Sequence, residues 1–131
     1  MIAYLEGEVL FRGSKFVILK AGGVGYKVFI SLETLKHIGK KGDRVALNTH
    51  LHVRENAMEL YGFGQVAELE MFEMLIGIPG IGPKSAIGVL SVVELDALKR
   101  AIAAGDTVYL TKISGIGRRI AEKMIVELKD R

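Results

Sequence analysis

The apolar positions change their period once along the chain. Up to residue 64 they recur about every second position, as in strands with one buried face. From Gln65 onward they follow the 3.6-residue period of helices. Ile2 to Leu10 alternates loosely and breaks near Arg12-Gly13. Lys15 to Lys20 encloses the run Phe16-Val17-Ile18-Leu19, and Tyr26 to Ile30 is again β-rich. With Ala21-Gly22-Gly23-Val24-Gly25 as turn chemistry, these two runs predict a hairpin. Ser31 to Gly39 predicts a short helix, with Ser31 as N-cap and Gly39 as its stop. Asp43 to Val53 and Ala57 to Phe63 read as further strands, with Arg54-Glu55-Asn56-Ala57 as the loop tip between them. Five short strands and one small helix suit a barrel of the OB type.

In the second half, Leu69, Phe72, Leu75 and Ile76 mark one helix face. Lys84 to Leu90 is a short helix with Pro83 near its start. Leu95, Leu98 and Ile102 mark a third helix, ended by Gly105, and Thr107 to Lys112 a fourth. Arg118 to Lys129 is the longest, with Ala121, Met124, Ile125 and Leu128 facing inward and Arg119 and Lys123 four apart on another side. The expected fold class is therefore α+β. A five-stranded OB-like barrel over residues 1–64 is followed by an all-α domain over residues 65–131, the boundary lying near Gly62-Phe63-Gly64.

One stretch of the helical half occurs twice. Leu75, Ile78, Gly80, Ile81, Gly82 and Ala86 return as Leu110, Ile113, Gly115, Ile116, Gly117 and Ala121. Each copy ends a helical pattern, turns through Gly-Ile-Gly and opens a new helix. The glycines are expected to supply backbone angles that other residues adopt only under strain, and to let an anion approach the chain closely. The first amides of the following helix are unpaired and lie at the positive end of its dipole, which suits a phosphate oxygen. Lys84 follows one turn; Arg118 and Arg119 follow the other. A single Gly-x-Gly between helices is usually only a connection. Two copies in register, each followed by a cation, point to paired helix-hairpin-helix motifs that grip a nucleic-acid backbone without reading bases. The expected backbone contacts are Gly80, Gly82, Lys84, Gly115, Gly117, Arg118, Arg119 and Lys123.

Other motifs are weaker. Gly77, Gly82, Lys84 and Ser85 nearly spell a nucleotide-binding loop, but Pro83 separates Gly from Lys and the preceding segment reads as helix. The cluster Gly22 to Gly25 has strand on both sides and no helix after it, so it reads as a turn or bulge. His50 and His52 alternate on one strand face, yet no other His or Cys cluster is near them in sequence, and no metal or cofactor is expected.

Charge sharpens the picture. The chain of 131 residues carries +3 with a pI near 9.2. Residues 1–64 hold nine Lys/Arg against six Asp/Glu, whereas residues 65–131 hold nine of each. Any DNA contact by the helical half must therefore come from local placement of cations. Cysteine is absent, no stretch reaches the length of a membrane span, and Glu6 interrupts the N-terminus too early for a signal peptide, so a cytoplasmic protein without membrane contact is expected.

With these residues in view, the sequence resembles the RuvA family of Holliday-junction-binding subunits. The resemblance rests on the Met-Ile start, Gly22-Gly23-Val24-Gly25-Tyr26, Val53-Arg54-Glu55, Leu60-Tyr61-Gly62-Phe63, Gly80-Ile81-Gly82-Pro83-Lys84 and Val126-Glu127-Leu128-Lys129-Asp130-Arg131. It implies a homotetramer that holds a four-way junction open and flat, with hairpins on the minor-groove side of each arm. It further implies recombination and repair as the setting, a ring-shaped ATPase partner, RuvB, and an acidic pin at the junction centre. The pin falls on Glu55 and Asn56, with Arg54 beside it on the DNA backbone; where the family pattern has Glu then Asp, this chain has Asn56. The family also continues into a linker and a small third domain that engages the ATPase. This chain stops at Arg131, so branch migration with the partner is not expected of it, and with the nucleotide-loop pattern broken by Pro83 neither is ATP hydrolysis.

Two other functions compete with a non-catalytic DNA-binding subunit. A nuclease, glycosylase or ligase fragment would need a catalytic lysine with a nucleotide pocket or clustered carboxylates, and the acids are expected at scattered, solvated helix positions. A general single-strand binder would want exposed aromatic rings. The chain has four Tyr, five Phe and no Trp, and most are expected in the core.

Overall fold

The computed structural model describes residues 1–130. Strands β1 (Tyr4–Arg12), β2 (Phe16–Ala21), β3 (Val24–Ile30), β4 (Arg44–Arg54) and β5 (Ala57–Phe63) close a barrel in the order β1-β2-β3-β5-β4. Closure leaves no strand edge unpaired. All neighbours are antiparallel except β3 and β5, which run parallel from Val28↔Leu60 to Ile30↔Gly62. A parallel pair requires a crossover; here it consists of α1 (Leu32–Lys36) and β4.

Alternation fills the barrel. Leu5 and Val9, Val17 and Leu19, Val28 and Ile30, with Leu47 and Leu60, form one buried cluster together with Ile38 from the segment after α1. Burying each such side chain contributes about 1.5–3 kcal/mol. The β2–β3 turn is Gly22-Gly23, both at positive φ (58° and 84°), which matches the twist of a tight hairpin. β1 carries a bulge between Val9 and Phe11, so Phe11 pairs with Ile18 and the strand bends there.

As expected, the Ser31 hydroxyl caps α1, accepting from the Thr34 amide at 3.1 Å. It belongs to a larger network. The Thr34 hydroxyl donates to Glu68 Oε1 at 2.9 Å, Ser31 Oγ lies 3.1 Å from the same oxygen, and the Gly64 amide donates to Thr34 Oγ1 at 3.3 Å. Burial pushes the Glu68 carboxyl above its usual pKa, and the two hydroxyls oppose that in part. The expectation that the acids sit at solvated positions therefore fails at Glu68. A helix-period pattern shows which residues face away from its own core, but not what another segment lays against them.

The helices are α2 (Val66–Ile76), α3 (Pro83–Val92), α4 (Leu95–Ala104), α5 (Thr107–Thr111) and α6 (Arg118–Leu128). Compact packing divides the chain between Glu70 and Met71, within α2, whereas the secondary structure changes at Gly64. The first turn of α2 is thus tied to the barrel unit through Glu68. Met71, Phe72 and Leu75 from its later turns join the helical core, with Leu98, Leu110, Met124 and Leu128. Ile125, expected inward, is only half-buried. Gly105 ends α4 in the left-handed region, and the Asp106 carboxylate caps α5 by accepting from the Tyr109 amide at 3.0 Å.

Candidate nucleic-acid interface

The sequence repeat is also a repeat of backbone hydrogen bonds. In the first copy Ile78 N donates to Leu75 O at 3.1 Å, Ile81 N to Ile78 O at 3.0 Å and Ala86 N to Gly82 O at 2.9 Å. In the second, Ile113 N donates to Leu110 O at 3.1 Å, Ile116 N to Ile113 O at 3.1 Å and Ala121 N to Gly117 O at 2.9 Å. Leu75 and Leu110, Ile78 and Ile113, Ile81 and Ile116, and Ala86 and Ala121 are all buried. The apolar positions of the repeat anchor each turn, and its glycines lie exposed at the surface.

The two glycines of each turn have different roles. Gly80 and Gly115 have φ of 100° and 90°, where a side chain is strained. Gly82 and Gly117 are the N-caps of α3 and α6 in ordinary extended backbone, with φ −90°, ψ 174° and φ −83°, ψ 175°. The expectation that turn strain demands both glycines is therefore wrong for the second of each pair. A Cβ at Gly82 or Gly117 would meet no protein atom within 4 Å. What glycine leaves at these positions is open space directly before a helix N-terminus.

That space is bordered by donors. The first paired amides of α3 and α6 are those of Ala86 and Ala121, so the amides ahead of them have no intrahelical partner. Lys84 and Ser85 present theirs in the first copy, where Pro83 has none; Arg118, Arg119 and Ile120 present theirs in the second. Lys84, Arg119 and Lys123 are exposed. Arg118 is exposed too, but its Nε lies 3.2 Å from Glu122 Oε1. The i,i+4 spacing of this pair is plain in the sequence, and a reading of the cation alone misses it. Exposed pairs of this kind contribute at most about 1 kcal/mol, so a phosphate can displace the carboxylate. The surroundings of the two turns differ: a Cβ on Gly80 would stand 3.6 Å from Ile120 Cδ1, whereas one on Gly115 would meet nothing within 4 Å.

The other candidate residues lie in the barrel unit. Arg54 pairs with Ala57 across the β4–β5 ladder, leaving Glu55-Asn56 as an exposed two-residue turn. No non-glycine residue among those described has positive φ, so this turn is not one of the primed types that fit hairpin twist. Arg54 Nη2 lies 3.6 Å from Glu59 Oε1, and Tyr61 Oη donates to the same oxygen at 3.1 Å. Burial first, then the Glu59 charge, pushes the Tyr61 phenol up to about 12. Arg54 is thus held by a braced carboxylate at the root of the tip, a partner that sequence spacing did not suggest. The rings of His50 and His52 lie 6.1 Å apart, and among the described residues no group of three His, Cys, Asp or Glu side chains is placed to hold a metal ion. No helix among the described residues is long and apolar enough to cross a membrane.

A closed five-stranded barrel followed by tandem helix-hairpin-helix turns with open, donor-lined helix N-termini defines a DNA-binding class of protein. Comparison with known families narrows the class. The RuvA N terminal domain model matches residues 1–62, and the SAM-like helix-hairpin-helix tandem model matches residues 72–130. Three similar relatives are each named Holliday junction branch migration complex subunit RuvA. That of Ruminiclostridium cellulolyticum is 43% identical over all 131 residues, covering 66% of the relative. That of Thermoanaerobacter sp. strain X514 is 42% identical with 70% covered, and that of Pseudomonas paraeruginosa 44% identical with 65% covered. The chain belongs to the RuvA family, and it spans about two thirds of the length of the curated relatives it matches.

Proposed function

We propose that this chain is a non-catalytic, structure-selective DNA-binding subunit. It binds four-way junctions through backbone phosphates and holds them open in a planar form. The observation that carries this reading is the duplicated hairpin: two identical hydrogen-bonded turns, each opening a helix whose first amides face open space beside a cation. Such a site takes a phosphate oxygen from any sequence, so shape and not base identity sets selectivity. In a homotetramer, eight hairpins would engage four duplex arms at once, and linking these weak contacts raises avidity for the junction over a single duplex. Gly80, Gly82, Lys84, Gly115, Gly117, Arg118, Arg119 and Lys123 form the phosphate sites. Arg54 contacts the backbone near the junction centre.

Glu55 and Asn56 are the pin. A carboxylate surrounded by phosphates opposes a continuous duplex crossing the centre, and so favours separated strands. The relatives' name supports a place in branch migration, where the full-length protein would direct a separate ATPase, RuvB, to the junction in the cytoplasm during recombination and repair. The test is a gel shift comparing a four-way junction, a linear duplex and a single strand of equal length at several salt concentrations. The junction is expected to bind tightest, with affinity falling steeply as salt rises. Equal affinity for junction and duplex at moderate salt refutes the reading.

A further inference from the structure

The barrel carries aromatic rings on its outside. Only Tyr61, Phe63 and Phe72 of the nine Phe and Tyr residues are buried, contrary to the expectation that most of them sit in the core. Phe11 is 51% exposed, and Phe16 and Phe29 are half-buried on the outer face of β1, β2 and β3. Their rings form a row that ends on the buried Tyr61. Phe11 stacks on Phe16 with centroids 5.7 Å apart, Phe16 meets Phe29 edge-on at 6.3 Å, and Phe29 meets Tyr61 at 5.5 Å. The Lys27 ammonium stands over this row, 4.5 Å from the Phe16 centroid and 5.3 Å from that of Phe29.

The charge along these strands is mostly of one sign. From Val9 to Leu32 the chain holds Arg12, Lys15, Lys20 and Lys27 and no Asp or Glu. All four cations are exposed. Glu8 stands opposite Lys20 on the β1–β2 ladder, and Arg12 Nη1 donates to the Gly39 carbonyl, which leaves Lys27 as the cation over the ring row. This single stretch carries more positive charge than the net +3 of the whole chain.

We propose that this face is a second nucleic-acid site, a stacking platform for single-stranded DNA distinct from the helical hairpins. Three observations point to that occupant. Rings in a row offer π faces to successive unpaired bases whatever their identity. Exposed cations on an acid-free stretch complement a phosphate backbone and disfavour a purely apolar partner. The face lies on β2 and β3 of a small closed barrel, the part of such barrels that takes extended strands. Paired bases hide their faces within the stack, so duplex DNA cannot use this row. Lys27, now over the rings, swings outward to a phosphate as a base takes its place.

The experiment uses the full chain and fluorescein-labelled (dT)12, which forms no duplex, read by anisotropy at low salt. The variants are Phe11→Leu, which keeps apolar volume and loses the ring, Lys27→Gln, and Gly117→Val in the second hairpin. Phe11 is half in solvent, so its loss leaves the fold intact; a thermal melt checks this. Phe11→Leu is expected to weaken (dT)12 binding roughly five- to 150-fold and to leave four-way-junction affinity unchanged. Lys27→Gln weakens (dT)12 binding and flattens its salt dependence. Gly117→Val does the opposite, losing junction affinity and keeping (dT)12 binding, so failure here and failure of the hairpin reading give different results. The proposal is overturned if (dT)12 does not bind, if Phe11→Leu binds it as tightly as the unchanged chain, or if Gly117→Val abolishes it. A change in sedimenting mass on Phe11→Leu with (dT)12 affinity intact also overturns it, and assigns the row to contact between copies of the chain.

Discussion

Gly115 and Gly117 lie two residues apart in one turn, and the structure separates what each contributes. Alanine at Gly115 must adopt φ near 90°, which costs about 1–3 kcal/mol, less about 0.5 kcal/mol for the stiffer unfolded chain. Alanine at Gly117 keeps φ −83° and meets no atom within 4 Å. There the poorer N-cap, up to about 1 kcal/mol, is offset by a similar unfolded-state gain. A helical unit of this size shifts its Tm by about 4–8 °C per kcal/mol. Gly115→Ala should therefore melt roughly 2–20 °C lower than the unchanged chain, and Gly117→Ala within about 4 °C of it.

Binding should reverse the order. The methyl of Gly117→Ala stands where a phosphate would approach the amides of Arg118 and Arg119. Losing a hydrogen bond to a charged group costs about 1.5–3 kcal/mol, so junction affinity should fall at least about tenfold. Gly115→Ala, held below its melting range, should bind almost normally. The assays are circular-dichroism melts and anisotropy with a labelled four-way junction at one salt concentration. If Gly117→Ala destabilises as much as Gly115→Ala, the division of labour between the glycines is wrong. If it melts and binds like the unchanged chain, the space before α6 is not a phosphate site.

Lys84→Ala should leave stability within about 0.5 kcal/mol and reduce the salt slope of junction binding by about one phosphate per site, with no change in base preference; an unchanged slope removes Lys84 from the interface. Glu68 has a raised pKa in the folded state, so the native chain binds more protons than the unfolded chain in the window just above the usual 4.5. Its contribution to stability therefore falls as pH rises through that window. Glu68→Gln keeps partners for Ser31 and Thr34 and removes the charge; urea unfolding across the window should show a flatter pH dependence than the unchanged chain, and an equally steep one refutes the assignment. At the pin, the ratio of junction to duplex affinity should rise in the order Glu55→Gln, unchanged chain, Asn56→Asp, because each added carboxylate penalises a continuous duplex more than separated strands. Any other order reduces Glu55-Asn56 to a turn.

The change of hydrophobic period showed the strands and helices, and the repeated Leu-x-x-Ile-x-Gly-Ile-Gly pattern showed the hairpins, because both depend on local geometry that recurs at fixed spacing. What escaped depends on contact between distant segments. The continuous run Phe16-Val17-Ile18-Leu19 has no parity, so it could not say that Val17 and Leu19 face inward and Phe16 lies on the outer face. Glu68 reads as a helix-surface acid until Ser31 and Thr34, more than thirty positions earlier, enclose it. Gly80 and Gly82 are alike as letters, and only the dihedral angles show that a side chain would be strained at the first and not at the second. Arg118 is the opposite case: its partner Glu122 sits at helical spacing, so the pair is local and readable once the cation is weighed with its neighbour.

The same scaffold supports two unequal ends. In the first hairpin Pro83 pre-sets the first helical turn but withholds an amide, so Lys84 and Ser85 carry the remaining donors. In the second, Arg118 keeps its amide, and Arg119 and Ile120 extend the free row before Ala121 pairs with Gly117. The second hairpin therefore offers the fuller set of donors to an anion. Their surroundings differ as well: Ile120 bounds the space beside Gly80, while the corresponding position, Ser85, leaves Gly115 facing open space. Shortening Ile120 is expected to loosen the surroundings of the Gly80 turn, whereas changes at Ser85 should leave the Gly115 turn as it is. Two motifs with one sequence pattern are thus unequal in the donors they offer. As a phosphate site the second would then bind more fully than the first, because three free amides rather than two precede its first paired one.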